Sequence, residues 1–300
     1  MSKRTAMMIA ILVTAAWGSS FILMKNIAAA VPTMAFLTMR FGLASIFMLL
    51  LSARHLKRFT RRDALRSLIL GVFLGGSMVL QVIGLRYTSA SNSAFITSLS
   101  VLVVPFLSAV LLKQRPTIGN WVGVCLALLG LAFITGVYQG LTALNLGDAL
   151  TFLCAACVAI HLIVADRFLQ DSDPILLGTG QIVAIAVLAF IIWTVQTPQT
   201  FLAVTYTPAL ITSVVLTAVF CTCFAFTGQI VAQKYLEPSR VAVIFTLEPV
   251  FAYVYALCIP IGGVTETITA AKLAGCLLVL GGMMISESGI LERCGRLTKG

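Results

Sequence analysis

Apolar residues in this chain gather into long, nearly unbroken runs, and polar residues fall in the short gaps between them. Ten runs are long enough to cross a membrane as a helix: roughly 5–27, 34–53, 67–86, 93–112, 118–137, 147–168, 175–195, 209–231, 239–260 and 268–286. A membrane barrel would instead show strands of alternating polarity, each about ten residues long. Lipid offers the backbone no hydrogen-bond partner, so a continuous apolar run of this length reads as a helix. The longest connections, 54–66 and 196–208, are too short to hold a soluble catalytic domain.

Composition agrees with that pattern. Of the 300 residues, 60% are hydrophobic and only 10% are charged, and the mean hydropathy is +1.05. A soluble domain carries about a quarter charged residues. Much of this surface must therefore meet lipid, and the chain reads as an all-α polytopic membrane protein.

The net charge of +10 adds orientation. With the N-terminus placed in the cytoplasm, the alternate loops and termini on that side collect Lys3, Arg4, Arg54, Lys57, Arg58, Arg61, Arg62, Arg66, Lys113, Arg115, Arg167, Lys234, Arg240, Arg293, Arg296 and Lys299. The opposite loops hold little more than Arg86. That bias predicts both termini in the cytoplasm. The run RHLKRFTRRDALR is read as a topology determinant that touches anionic lipid. The basic residues flank helix ends with no soluble fold around them, which argues against nucleic-acid binding. Seven of the eight cysteines fall inside apolar runs and are read as small core residues, not as disulfides or metal ligands. The N-terminal apolar run is long enough to span, so it is not read as a cleaved signal peptide.

The chain also repeats itself. RYTSASNSAFITSLSVLVVPF (86–106) aligns with KYLEPSRVAVIFTLEPVFAYV (234–254), pairing Leu99 with Leu247 and Ser100 with Glu248. After a short insertion, NWVGVCLALLGLAF (120–133) matches AKLAGCLLVLGGMM (271–284), pairing Gly123 with Gly275 and Gly130 with Gly282. Two halves of five helices each follow: 1–137 and 147–287, with a cytoplasmic tail at 288–300. An odd number of crossings per half turns the second half upside down relative to the first. That is the inverted-repeat plan of secondary transporters, with a binding site between the halves near the midplane.

With those residues in view the chain resembles a known group. AAWGSSFILMKNI in the first run, MRFGLAS in the second, LEPVFAYVYA in the ninth and the glycines spaced seven apart in the last run of each half are similar to the drug/metabolite transporter superfamily, in its EamA-type branch of ten-helix exporters. The resemblance covers both halves. It implies efflux of small metabolites across the bacterial inner membrane, driven by an ion gradient or by exchange. The first half departs from the common pattern: Ser100-Val101 stands where many members carry a second proline, and Lys113-Gln114-Arg115 where a Gly-Glu-Arg run is usual.

Candidate chemistry centres on Glu248, an ionisable group about nine residues, or roughly 13 Å, into the ninth run. Charge at such depth faces a bundle interior or a watery cavity. Glu248 is read either as a proton carrier and cation partner or as a hydrogen-bonded structural group. Arg40 is the second deep charge, positioned to pair with Glu248 or to grip a carboxylate as a fork. His161 is the third, with a hydrogen-bonded core role as the plainer alternative. Pro249 and Pro105 are expected to kink the ninth and fourth helices into walls of a pathway. Ser93, Thr97 and Ser100 share one face of the fourth helix by their i, i+4, i+7 spacing. Ser20, Gln81, Asn92, Thr217, Thr222 and Gln229 add polar groups, and Trp17, Phe95, Phe224, Phe245, Phe251 and Tyr253 an aromatic lining or simple packing. Lys25 and Lys272 are expected to snorkel, and Asp148 to start the sixth helix.

The expectation is then a secondary active transporter for a small-molecule substrate, an amino acid or related amphipathic compound, exported by alternating access with proton or counter-ion coupling. Rivals are an uncoupled facilitator or exchanger, multidrug or metallophore efflux, and a non-transporting scaffold. There is no phosphate-binding Gly-rich loop, no H-E-x-x-H and no nucleophile with a base, so neither enzyme chemistry nor a cofactor is expected. The glycines of the fifth and tenth runs are expected to bring those helices together, within one protomer or between two of a homodimer.

Overall fold

The computed structural model describes residues 1–25, 31–84, 87–88, 90–114, 116–137, 145–200, 204–259 and 267–288. Arg86, Arg115, Cys294 and the basic residues of the tail lie outside them, as do the side chains of Lys25 and Asn92. The described residues are helical, with no strand among them. In chain order they form α1 (Lys3–Lys25), α2 (Thr33–Leu51), α3 (Arg61–Gly84), α4 (Ala90–Ser98, then Ser100–Leu107), α5 (Ile118–Thr135), α6 (Leu146–Leu169), α7 (Pro174–Gln196), α8 (Pro208–Ala218, then Ala225–Gln233), α9 (Pro238–Phe245, then Glu248–Cys258) and α10 (Ala270–Ser288). Eight of these, α2 to α9, are long and apolar enough to cross a membrane, and α10 is a shorter apolar helix. Outward side chains such as Leu50, Leu51, Phe106, Val195 and Leu277 are exposed and apolar, as lipid contact requires.

Local chemistry starts the helices. The Thr117 hydroxyl accepts from Asn120 N–H while the Asn120 side chain accepts from Thr117 N–H, a reciprocal cap that opens α5. Asn145 and Asp148 open α6 in the same way, the cap expected of Asp148. Pro174, Pro208 and Pro238 each stand in a first turn, where a missing N–H costs nothing.

Contacts between helices follow an exchange of halves. α3 packs on α6 and α7, while its counterpart α8 packs on α1 and α2. α4 lies on α6, and its counterpart α9 lies on α1. The most extensive contact joins α5 to α10. A Cβ on Gly123 would lie 2.7 Å from the carbonyl oxygen of Gly282, and one on Gly130 would lie 2.5 Å from that of Gly275. The approach is backbone on backbone, so only glycine fits. One partner's number falls by seven as the other's rises by seven, so the helices run antiparallel. Applying the repeat pairing of Gly123 with Gly275 and Gly130 with Gly282 turns the first contact into the second. The glycines meet within one protomer, which decides between the two arrangements left open above. Asn120 Nδ2 donates to Ser286 Oγ at 3.0 Å on the same seam.

The end carrying the basic loops is tied by charge. Arg66 of α3 donates to Asp171 Oδ1 at 2.5 Å and to Asp171 Oδ2 at 3.1 Å, and Arg62 reaches the same carboxylate at 2.7 Å. The Arg66 hydrogen bond holds the Asp171 carboxyl below its usual range, and the charges of Arg62 and Arg66 act in the same direction. Arg66 also donates to Ser172 Oγ, whose hydroxyl donates to Asp63 Oδ1. His55 Nδ1 meets Asp173 Oδ2 at 3.1 Å. The α6–α7 turn is thereby fastened to the start of α3.

Candidate functional site

Both α4 and α9 are interrupted, and at the same repeat position. Leu99 N–H bonds to Ile96 at 3.1 Å and Leu247 N–H to Ile244 at 3.0 Å, each a tightened i→i−3 turn between two helical pieces. In α9 the second piece begins with Glu248, followed by Pro249 in the first turn. A carboxylate there meets the positive end of a helix dipole, and a proline there sacrifices no hydrogen bond. The adjacency of glutamate and proline inside an apolar span is thus the signature of a helix restarting. In α4 the helix runs unbroken through Pro105 and the interruption lies at Leu99, six residues earlier. A π turn at Ser108–Leu112 follows Pro105 and ends at Lys113 with φ 57°.

α8 carries a second irregularity, a π segment at Val219–Phe224. Such a wide turn frees backbone carbonyls, and two side chains take up the carbonyl of Cys221. Trp17 Nε1 of α1 and Arg40 Nη2 of α2 each donate to it at 3.1 Å. Arg40 Nε donates to the Thr222 hydroxyl at 2.8 Å, and that hydroxyl donates to the Thr217 carbonyl five residues back. Arg40 is 3% exposed and lies 5.4 Å from the centre of the Phe41 ring. The Trp17 ring stands edge-on to Phe245 at 4.9 Å and tilted to Phe226 at 5.3 Å. Two helices, α1 and α2, are thereby bound to the π segment of α8.

Glu248 faces this knot. A Cβ on Gly18 would lie 3.0 Å from the Glu248 carbonyl oxygen and 2.8 Å from Phe251 Cβ, so α1 presses directly on the restart of α9. Arg40 and Glu248 are close enough for each to feel the other's charge. Glu248 is deep among protein atoms yet keeps accessible surface, as a side chain lining a space does. Trp17, Arg40, Phe245 and Glu248 are therefore brought together, and Cys221, Thr222 and Phe226 join them.

The other candidates lie elsewhere. Gln81 Nε2 donates to Thr97 Oγ1 at 3.4 Å between α3 and α4, and Ser93 Oγ lies 3.4 Å from Thr151 Oγ1 of α6. Ser100 stands half-buried at the start of the second piece of α4. Ser20 Oγ donates to the Trp17 carbonyl of its own helix. His161 is 1% exposed with Nε2 2.9 Å from Gln181 Oε1, a pair joining α6 to α7. Tyr253 donates its hydroxyl to the Thr267 carbonyl at 3.0 Å, and the Lys272 ammonium lies 5.2 Å from its ring centre. Phe95 and Phe251 pack against the core, whereas Phe224 is 42% exposed, one turn beyond the exposed Phe220.

Sequence reasoning placed Thr222 only among wall residues and treated Cys221 as packing. Their importance comes from a carbonyl freed by a π turn, and no residue type announces that. Gln181, Gln233 and Asp166 were not singled out either, since one polar residue in an apolar run carries little signal alone.

The profile of the EamA-like transporter family matches twice, over residues 4–136 and 145–287. An uncharacterized transporter of Archaeoglobus fulgidus is 31% identical over 271 residues, covering 90% of this chain and 81% of that protein. The uncharacterized transporter YyaM of Bacillus subtilis strain 168 is 24% identical, covering 84% of this chain and 83% of its own. A crystal structure with 16% sequence identity superposes with a TM-score of 0.81 over 95% of this chain and 97% of the other, a likeness of fold. With the break in α9 and the π segment of α8 meeting at a buried charged centre, a profile matched in both halves and relatives named as transporters, this chain belongs to the EamA-like transporter family.

Proposed function

We propose that the protein exports a small amphipathic metabolite, an amino acid or related compound, across the bacterial inner membrane by alternating access, with both termini in the cytoplasm. The halves 1–137 and 147–287 act as inverted repeats that rock about the α5–α10 glycine seam. One observation carries this reading: two opposite charges, Arg40 and Glu248, sit in an apolar bundle beside the break in α9 and the π segment of α8. Charge so deep in lipid-embedded protein is retained for a pathway or a relay. Broken backbone at that depth needs a cavity or protein around it.

Glu248 is the proton carrier in this scheme. Ionised, it holds the substrate's ammonium, with Arg40 fixed beside it by Thr222 and the Cys221 carbonyl. Protonated, it lets that ammonium go. Proton uptake outside and substrate release outside are thereby coupled. Trp17 and Phe245 form the apolar wall.

The test is transport in liposomes with an imposed pH gradient, using a cargo found by thermal shift against a metabolite library. Flux that follows the gradient in wild type, and counterflow without gradient response in Glu248→Gln, support the reading. Gradient-driven flux surviving in Glu248→Gln overturns the coupling. Counterflow indifferent to pH in wild type marks an exchanger instead. A folded protein that binds and moves no library member marks a scaffold.

A further inference from the structure

A cavity of about 290 Å³ opens at the end that carries the basic loops, between the last turn of α6 and the turn joining α8 to α9. Asp166, Gln233, Lys234 and Glu237 line it. Asp166 is only 6% exposed, and no hydrogen bond or ion pair reaches its carboxylate among the described residues. Glu237 repels it across the same space. Lys234 is exposed and forms no ion pair with either carboxylate. Gln233 forms the inner wall, donating to the Leu162 carbonyl at 3.0 Å and facing Gln229 at 3.3 Å.

A carboxylate that is nearly buried and has no partner is costly, and a second anion facing it adds to the cost. Glu237 is exposed, with Arg240 Nε 3.8 Å from its Oε2, so a cation in the cavity chiefly relieves Asp166. The cavity also has a positive group, and it is left free to hold an anion. These groups lie about the walls of a space that suits a small organic molecule rather than a bare ion.

We propose that this cavity is a loading site for a small zwitterion. The ligand's ammonium lies between Asp166 and Glu237, and its carboxylate lies on Lys234. The inference rests on the export reading above and narrows its substrate to compounds carrying both charges. It concerns groups separate from Arg40 and Glu248. Gln233 and Gln229, which follow each other inward along α8, continue the polar surface from the cavity floor.

The experiment is calorimetric titration of the purified full chain with the twenty protein amino acids. The tightest binder is then compared with the amine lacking its carboxylate and with the acid lacking its ammonium. The proposal expects Asp166→Asn to weaken the zwitterion and the amine at least tenfold. Lys234→Met, a change at an exposed position, should weaken the zwitterion several-fold and leave the amine unchanged. The acid alone should not bind. If Asp166→Asn and Lys234→Met both bind as wild type does, or if the acid binds as well as the zwitterion, the site is wrong. An Asp166→Asn protein that melts higher with unchanged affinity would reduce Asp166 to a strained buried charge and overturn the site as well. The two readings separate cleanly. Transport that ignores Asp166 removes the loading site and leaves export standing. Asp166-dependent binding without flux removes export and leaves the site. A wild type that binds none of the amino acids overturns the zwitterion.

Discussion

Arg40 Nε donates to the Thr222 hydroxyl at 2.8 Å across 182 positions of sequence. The bond joins the second helix of one half to the eighth helix of the chain, at a place where that helix has widened into a π turn. It holds a buried guanidinium in a fixed direction, with the Cys221 carbonyl as a second anchor.

Thr222→Val keeps the shape and removes the acceptor. Polar contacts between membrane helices are worth about 0.5–2 kcal/mol, and the loss here should fall in that range. The measurement is a melting curve in detergent beside Thr227→Val, whose hydroxyl reaches, among the described residues, only the Met48 sulfur. Equal melting of the two variants would show that the Arg40 anchor contributes nothing.

The glycine seam offers a contrast within one helix. Gly282→Ala puts a methyl 2.7 Å from the Gly123 carbonyl oxygen, whereas Gly281→Ala meets nothing within 4 Å. The first should lose about 1–3 kcal/mol by overpacking, and the second should be neutral or slightly stabilising. Thermal unfolding of both proteins, run in parallel, settles it.

Lys113 occupies left-handed backbone, with φ 57°, at the end of the π turn in α4. A Cβ is strained there by about 1–2 kcal/mol, partly offset by glycine's greater freedom when unfolded. Lys113→Gly should therefore raise stability by about 0.5–1 kcal/mol. Lys113→Ala, which keeps the Cβ and drops the charge, should not. Matching gains in both would assign the effect to charge.

The tether of Asp171 to Arg66 and Arg62 has a defined pH dependence. The carboxyl is held below its usual range in the folded state, chiefly by the Arg66 hydrogen bond. Its stabilisation is therefore complete above the ordinary carboxylate pKa, near 3.9, and is lost as pH falls through the lower folded value. Protection factors of the amides across residues 168–175 should be unchanged between pH 8 and 6, and should be lower in Asp171→Asn throughout that range. Equal protection in the two proteins would remove the tether from the fastening of α3 to the α6–α7 turn.

Much of this molecule was legible along the chain, because lipid imposes a simple rule. A backbone that must satisfy itself becomes a helix, so apolar run lengths gave the eight spans α2 to α9. The breaks at Leu99 and Leu247 fall at paired positions of the repeat, but no residue type there announced them. Pro105 lies inside the second piece of α4, just before the π turn at Ser108–Leu112.

What the chain alone determined was its helices, its basic end and its deep charges, since each follows from local solvation. What only tertiary structure decided was which of these meet. His161 faced Gln181, Tyr253 turned to Thr267 and Lys272, and the serine–threonine face of α4 met α6 and Gln81. Arg40, Trp17 and Glu248 converged instead, because a π turn exposed one carbonyl and a glycine let one helix press on another. Helix faces are set by packing angles and small residues hundreds of positions apart, and one-dimensional spacing does not carry that information.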